Sequence, residues 1–110
     1  MNIDEKAREY AYTEVKNSFP ELKGNSARLI ELFIQQAYIK GSENKSENID
    51  QSSKDYAKKV VDEKLNKYPD ATQRLISIFI RQSFVQACED AGENVAIERI
   101  EIASELCSFN

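Results

Sequence analysis

The sequence predicts an all-α protein, and three of its features support that class. Only three Gly and two Pro occur among 110 residues, so few positions interrupt a helix. Residues common in helices, such as Glu, Lys, Ala and Leu, are frequent, and apolar residues recur at spacings of three and four. A chain of this length can bury one core but not two. We therefore expect a single helical domain, residues 1–110, packed as one compact bundle.

A repeat of 46 residues organises the expected helices. When the chain is aligned with itself at that offset, 13 of the 45 pairs from 2/48 to 46/92 are identical and no gap is needed. The pattern indicates a duplicated unit, with residues 1–46 and 47–93 each forming a helical hairpin. A weaker third match begins at Asn94. Residues 94–110 are therefore interpreted as a partial third repeat that supplies a fifth, C-terminal helix over 95–107.

Local signals set the expected ends of the first helix in each unit. Asn2 followed by Glu5 resembles a capping box, and Pro20 prevents the helix from continuing beyond Phe19. The same scheme predicts a helix near 50–66 in the second unit.

The second helix of each unit has its own expected limits. It should begin near Ser26 in the first unit and near Thr72 in the second, because both residue types are good N-caps. A glycine just beyond the apolar run is a typical end signal, which places the end of the second helix at Gly41. The fourth helix is expected over 72–90, ended by Gly92.

On a helical wheel, most apolar residues of each unit's second helix fill one arc that must face the core, and two apolar residues lie outside that arc. Leu32 and Ile39 lie outside it in the first unit, and their counterparts Ile78 and Val85 do so in the second. The simpler interpretation is that these helices are central and are covered by their hairpin partners and by the other unit. The alternative is a homodimer or partner interface. Its candidate residues are Leu32, Ile39, Ile78, Val85, Arg74 and Arg81.

An arginine recurs in the first turn of each second helix, as Arg28 and Arg74. The helix dipole disfavours a cation at that place. We therefore expect a carboxylate partner, most simply Glu9 or Asp55 from the helix packed against it, with a binding contact as the alternative.

The charge balance argues against nonspecific contact with nucleic acid. Fifteen basic and 19 acidic side chains give a formal charge of −4, so phosphate backbones and anionic lipid would repel the chain. The alternative function, nucleic-acid binding, would depend on basic residues of the third and fourth helices. These residues are Lys54, Lys58, Lys59, Arg74 and Arg81. No apolar run approaches a membrane span and the N-terminus lacks a secretory pattern, so we expect a cytoplasmic protein.

The fifth helix is acidic, with Glu98, Glu101 and Glu105. It could be a structural cap, or it could mimic nucleic acid or dock on a basic surface. Deletion of residues 94–110 would separate these interpretations, because loss of a cap should unfold the domain.

Nothing in the sequence indicates catalysis, a metal or a cofactor. The chain has no His, which removes the commonest general base and metal ligand. Cys88 and Cys107 form no CxxC pair and are expected to be unpaired structural thiols. Glu89 and Asp90 beside Cys88 should raise its pKa and so disfavour reactivity. We expect a protein that is not an enzyme.

Three recurring elements resemble short helical proteins encoded by phages and mobile elements of gut bacteria. They are a Tyr-Ala in the first helix, an aromatic-Pro break, and a Phe-Ile-x-x-[Ala/Ser]-aromatic stretch. In this chain they are Tyr10-Ala11, Phe19-Pro20 and Phe33-Ile34-Gln35-Gln36-Ala37-Tyr38, and then Tyr56-Ala57, Tyr68-Pro69 and Phe79-Ile80-Arg81-Gln82-Ser83-Phe84. The resemblance implies a small accessory protein that binds and blocks a host factor. Together these observations predict a non-enzymatic helical protein–protein interaction module.

Overall fold

The computed structural model describes residues 2–108, and within that range the chain forms five α-helices and no strand. The helices are α1 (Ile3–Ser18), α2 (Gly24–Ser42), α3 (Ile49–Lys64), α4 (Asp70–Asp90) and α5 (Ala96–Cys107). The Cα radius of gyration is 13.1 Å, which is the value expected for one globular domain of this length. The expected all-α bundle is confirmed. The finer division into two tandem hairpins stays a prediction.

Helices α1 and α3 begin in the same way. The Asn2 side-chain oxygen accepts a hydrogen bond from the backbone N–H of Glu5 at 2.9 Å, and Asn48 accepts one from Gln51 at 3.0 Å. Each bond satisfies one of the N–H groups that the first turn of a helix leaves without an intrahelical partner. The expected cap at Asn2 is therefore confirmed.

The expected N-caps of the second helices are wrong. Helix α2 begins at Gly24 rather than near Ser26, and α4 begins at Asp70 rather than near Thr72. Pro69 precedes α4, where its missing N–H costs nothing, and the Asp70 carboxylate faces the positive end of the helix dipole. These two features start α4 at Asp70, whereas a helix capped by Thr72 would begin at Gln73, almost one turn later.

Gly41 does not end α2, as the sequence suggested, but lies inside it. The helix continues to Ser42, and a Cβ atom on Gly41 would lie 2.2 Å from the backbone oxygen of Phe84. The missing side chain therefore lets α2 and α4 approach backbone to backbone. Gly92 does follow the end of α4, with φ at +99°, a conformation that suits glycine.

Helices α2 and α4 form the centre of the bundle. They contact each other, α1 packs on α2, and both α3 and α5 pack on α4. The aligned residues Ile34 and Ile80 are both fully buried and lie in the same apolar cluster, together with Phe33 and Phe79. The two halves of the chain therefore share one core. Within residues 2–108, no helix has the length and apolar character needed to cross a lipid bilayer.

Candidate protein-binding groove

Helix α5 covers one face of α4 and thereby buries residues that would otherwise meet solvent. Ile102 and Val95 of the α5 segment lie in one apolar cluster with Ile78 and Val85 of α4 and Ile49 of α3. All five side chains are buried. We call Ile49, Ile78 and Val85 the covered face.

A buried arginine fixes α5 in place. Arg81 is 3% exposed, and its guanidinium lies 2.6 Å from an Asp50 carboxylate oxygen and 3.2 Å from Glu105. Its Nε also donates to Ser53 Oγ at 3.3 Å. A buried cation requires such partners, because an unpaired one would lose its hydration without compensation.

Lys54 of α3 adds a second ionic link to α5. Its ammonium lies 3.1 Å from Asp50 and 3.5 Å from Glu101. Burial alone would raise the pKa of Asp50, but the hydrogen bond from Lys54 and the charge of Arg81 outweigh it, so this pKa is lower than that of an ordinary aspartate. Asp50 is therefore held ionised between the two cations.

The same positions in the first half of the chain are open. Leu32 is 47% exposed, whereas its counterpart Ile78 is 3% exposed; Ile3 is 39% exposed, against 5% for Ile49. Ile39, the counterpart of the fully buried Val85, is half-buried. We call Ile3, Leu32 and Ile39 the open face. No helix of residues 2–108 lies on it in the way that α5 lies on the covered face.

A groove between α1 and α2 adjoins the open face. It has a volume of about 380 Å³, and its lining consists of Arg8, Glu9, Tyr12, Arg28, Glu31, Leu32 and Gln35. A second hollow of about 430 Å³ shares Tyr12 and Glu31 with it and extends to Phe19 and Leu22. We call the two together the N-terminal groove. It follows α1 from Arg8 to Phe19, a length of about 16 Å at 1.5 Å per residue.

Three residues that line the N-terminal groove correspond, at the repeat offset, to residues that contact the α5 segment in the second half. At an offset of 46, Arg8 corresponds to Lys54, Arg28 to Arg74, and Gln35 to Arg81. In the second half these three cations contact Glu101, Ser108 and Glu105 respectively. Arg8, Leu32 and Gln35 therefore lie on α1 and α2 as the α5 site lies on α3 and α4. The rest of the N-terminal groove corresponds to an open hollow of about 340 Å³ on α3 and α4, lined by Lys58, Asp62, Arg74 and Ser77 among others.

The two grooves differ in charge. The lining of the N-terminal groove carries Arg8, Lys16 and Arg28 against Glu9 and Glu31, and Gln35 stands where the second half has Arg81. Under α5, by contrast, Arg81 is a buried cation that contacts Glu105 of α5. An acidic helix such as α5 therefore matches its own groove better than it would match the N-terminal one.

The outer side of α5 is exposed and uncharged. Six residues form it: Ala96, Ile97, Ile100, Ala103, Ser104 and Cys107. Ile97 and Ile100 are 70% and 71% exposed, the largest values among the big apolar side chains that the structure describes. The charged residues of α5 all lie on the half-buried side instead. A surface helix normally shows the opposite arrangement.

The structure separates the candidate interface residues into two groups. Ile78, Val85 and Arg81 are buried inside the chain, as the simpler, internal interpretation expects, so they do not lie on the exposed surface. Leu32 is exposed, Ile39 is half-buried, and Arg74 is exposed and donates to Ser108 Oγ at 2.9 Å. The interface on the second half is internal because α5 occupies it.

Tyr12, Ile97 and Ile100 were missed as candidate surface residues. A helical wheel of residues 96–107 would have found the isoleucines, because it collects all six uncharged exposed residues on one side. For Tyr12, which is 57% exposed, the signal is its spacing of four residues from both Arg8 and Lys16, which places it on the charged face of α1.

The basic cluster of α3 and α4 is largely paired with carboxylates of the same chain. Arg81 is buried, Lys54 contacts Asp50 and Glu101, and Lys58 lies 2.6 Å from Asp62. These contacts neutralise the field that a phosphate backbone would need. The geometry therefore gives the nucleic-acid interpretation no support.

Among the described residues 2–108, no ion pair joins Arg28 to Glu9 or Arg74 to Asp55. Arg74 donates a hydrogen bond to Ser108, just beyond the end of α5. Arg28 lines an open groove, where water can solvate its charge, so a carboxylate partner is unnecessary.

The carboxylates of α5 turn toward the same chain. Glu101 and Glu105 contact Lys54 and Arg81, and a Glu98 oxygen is buried. A role for this acidic side in docking on another molecule is therefore incompatible with the position of α5, and the cap interpretation fits the contacts.

Three titratable groups of α1, α2 and α4 have pKa values above their ordinary range. Burial, followed by the nearby Glu14 carboxylate, raises the pKa of Tyr10 to about 12, and burial with a hydrogen bond to Asp90 raises that of Tyr38 further. Burial and Glu93 raise the pKa of the Cys88 thiol, which differs from the expected influence of Glu89 and Asp90. These groups stay protonated at neutral pH and so offer neither a base nor a nucleophile.

Cys88 and Cys107 are both free thiols. Among residues 2–108, no cluster of three or more His, Cys, Asp or Glu side chains is placed to hold a metal ion. No family model, curated protein or solved structure matches this chain.

Proposed function

We propose that the protein is a non-enzymatic helical module that binds an α-helix of another protein molecule on the open face and N-terminal groove. One observation carries the proposal. Ile3 and Leu32 are exposed where their counterparts Ile49 and Ile78 are buried beneath a helix. The fold itself therefore supplies an example of how a helix occupies this kind of site.

The size of the groove supports a helix as its occupant. The groove follows α1 for about 16 Å, and a helix of 12 residues such as α5 is about 18 Å long. An amphipathic helix laid in an apolar groove is also a common mode of protein recognition. The occupant would cover Leu32 and Tyr12 and would exchange polar contacts with Arg8 and Arg28.

Two narrower expectations belong to this proposal. Both cysteines are free, which supports a reducing compartment such as the cytoplasm. The role implied by the resemblance, blocking a host factor, would follow if the bound helix belongs to a host protein and is needed for its activity.

The test is capture of binding proteins by tagged wild type and by Leu32→Asp, with mass spectrometry of the bound fraction. Leu32 belongs to no core cluster, so the variant should fold, which circular dichroism can check. Binding that depends on the groove should fall at least tenfold, a loss of about 1.4 kcal/mol. The matched control, Lys59→Glu, changes an exposed residue on α3 and should bind like wild type. Capture that is equal in all three proteins would refute the proposal.

A further inference from the structure

We propose that a pocket at the N-terminal ends of α2 and α4 binds a small neutral aromatic molecule that carries one hydroxyl group. The pocket has a volume of about 180 Å³ and is called the axial pocket below. It shares Leu22 with the lining of the N-terminal groove, but none of the residues that carry the proposed function. This second site is therefore independent of the protein-binding groove.

The axial pocket lies where the two halves of the chain meet. Helices α2 and α4 run in the same direction, and toward their C-terminal ends Gly41 lies against the Phe84 backbone and the Tyr38 hydroxyl donates to Asp90. At their N-terminal ends, pairs of residues related by the 46-residue offset line the pocket instead. These pairs are Leu22 and Tyr68, Ser26 and Thr72, and Ile30 and Ile76. Each half therefore supplies an equivalent wall.

The lining of the axial pocket is largely apolar and carries no charge. Ile30, Leu65 and Ile76 are buried, whereas Leu29 and Tyr68 are 39% and 43% exposed. No charged side chain lines this pocket, although several line the N-terminal groove. An ion would lose part of its hydration in the axial pocket without gaining a partner charge, so the lining selects a neutral occupant.

The size of the axial pocket fits one aromatic ring with a small substituent. An apolar cavity of about 150 Å³ is able to hold one benzene molecule, and this pocket is slightly larger. A rigid ring also loses less conformational freedom on binding than an alkyl chain of the same volume. The ring of Tyr68 forms part of the lining, and contacts between aromatic rings are more favourable than the buried area alone accounts for.

Two hydroxyl groups of the lining lack a partner within the chain. Ser26 and Thr72 occupy equivalent places on α2 and α4, and within residues 2–108 neither side chain forms a hydrogen bond. A hydroxyl group can donate one hydrogen bond and accept others, so either residue can bond to a hydroxyl on the ligand. A ligand without a polar group would displace water from these hydroxyls and replace none of its hydrogen bonds.

The first test is titration of the isotope-labelled protein with phenol, followed by NMR chemical shifts. Phenol should shift amides at the N-terminal ends of α2 and α4 and should saturate with a Kd of about 1 mM or below, which is typical of a ligand this small. Cyclohexanol has the same hydroxyl and a similar size but no aromatic face, and should bind at least about threefold more weakly. Benzoate, which is charged, should not saturate the pocket.

A pair of tyrosine variants tests the location of the site. Tyr68→Ala removes the aromatic wall and should weaken phenol binding at least about fivefold. The matched control is Tyr12→Ala, which removes an equally exposed tyrosine outside the pocket and should bind phenol like wild type. Both residues are exposed, so both variants should fold, which circular dichroism can check.

A double variant tests the role of the hydroxyl groups. Because phenol can use either hydroxyl, Ser26→Ala and Thr72→Val are combined, and the double variant should bind phenol at least about fivefold more weakly than wild type. Toluene has the size of phenol but no hydroxyl, so its affinity should not fall in the same variant. A parallel loss for phenol and toluene would overturn the assignment of a hydroxyl-bearing ligand.

Other outcomes would also overturn the inference. Shifts that grow with phenol concentration and never saturate would indicate nonspecific contact with apolar surface. Cyclohexanol that binds as tightly as phenol, or benzoate that saturates the pocket, would exclude a neutral aromatic ligand. Leu32→Asp should leave phenol binding unchanged, and a loss in that variant would place the ligand in the N-terminal groove instead. The proposed function is tested by protein capture, so either proposal can fail while the other survives.

Discussion

The two halves of the molecule place similar residues on α2 and α4 but give them different surroundings. Leu32 on α2 is about half exposed, whereas Ile78 on α4 is buried beneath α5. Polar positions differ in parallel, because Gln35 is replaced by the buried Arg81. The comparison teaches that one apolar pattern can serve as core in one half and as an exposed surface in the other. A single additional helix decides which.

The largest expected effect comes from truncating the aligned apolar pair. Ile78→Ala should lower the free energy of unfolding by about 3.5 kcal/mol, because it leaves a cavity between α4 and α5. Leu32→Ala should cost less than about 1 kcal/mol, since much of that side chain is already in water. Urea denaturation measures both. Equal losses would contradict the assignment of one covered and one open face.

The contact of α2 with α4 is also asymmetric. Gly41→Ala should cost about 3 kcal/mol, because the new Cβ would lie within 2.2 Å of the Phe84 backbone and the helices would have to move apart. The reverse change at the aligned position, Ala87→Gly, should lower the free energy of unfolding by about 2 kcal/mol, through backbone entropy and the loss of one buried methyl group. Thermal melts of the two variants provide the comparison, and a neutral Gly41→Ala would show that the close approach is dispensable.

Removal of the buried cation tests the attachment of α5. Arg81→Ala should lower the free energy of unfolding by about 2 kcal/mol. This loss is smaller than is usual for a buried ion pair, because the Asp50 and Glu105 side chains are 35% and 45% exposed and keep part of their hydration. Gln35→Ala at the aligned position should change stability by less than about 0.5 kcal/mol. Hydrogen exchange of the α5 amides should rise in Arg81→Ala, and unchanged protection would exclude an anchoring role.

The smallest effect is the dependence on acid pH of the contacts that Asp50 makes with Lys54 and Arg81. The folded pKa of Asp50 is lowered, so its charge stabilises the fold above the unfolded pKa of about 3.9 and this contribution is lost as pH falls through the folded value. Asp50→Asn should therefore destabilise by less than about 1 kcal/mol at neutral pH, and the difference from wild type should shrink in acid.

The aligned variant Asp4→Asn is the matched control for this pH dependence. Asp4 has no ion pair within residues 2–108. Both carboxylates lie in the first turn of their helix, so the excess of the Asp50→Asn effect over the Asp4→Asn effect reports the contacts of Asp50 with Lys54 and Arg81. This excess should be larger at neutral than at acid pH, and denaturation curves at both pH values measure it. An excess of zero would contradict the ionic role of Asp50.

Much of the fold could be predicted because helices depend on local signals. The number of helices follows from the spacing of apolar residues, and Asn2 caps α1 through a contact three residues away. The predicted starts of α2 and α4 were wrong because several nearby residues could serve as caps. Propensity ranks such residues, but tertiary contacts select among them.

The candidate site was less predictable, since it depends on which surface α5 covers. The sequence suggested Arg81 as an interface or nucleic-acid contact, yet it is buried and paired with carboxylates more than twenty residues away in sequence. The residues next to Ile78 and Leu32 in sequence do not indicate which of the two is buried. The position of α5 in the fold decides it.

By itself, the sequence determined an all-α chain with one core, capped helix starts and no histidine-based chemistry, because composition and short-range periodicity suffice for these properties. Tertiary structure decided that Gly41 is a packing position, that Arg81 is buried, and that Leu32 rather than Ile78 faces solvent. These outcomes depend on contacts between distant segments. Helix α5 packs on α3 and α4 and not on α1 and α2 because the first arrangement has the lower free energy, and no local pattern in the sequence encodes that difference.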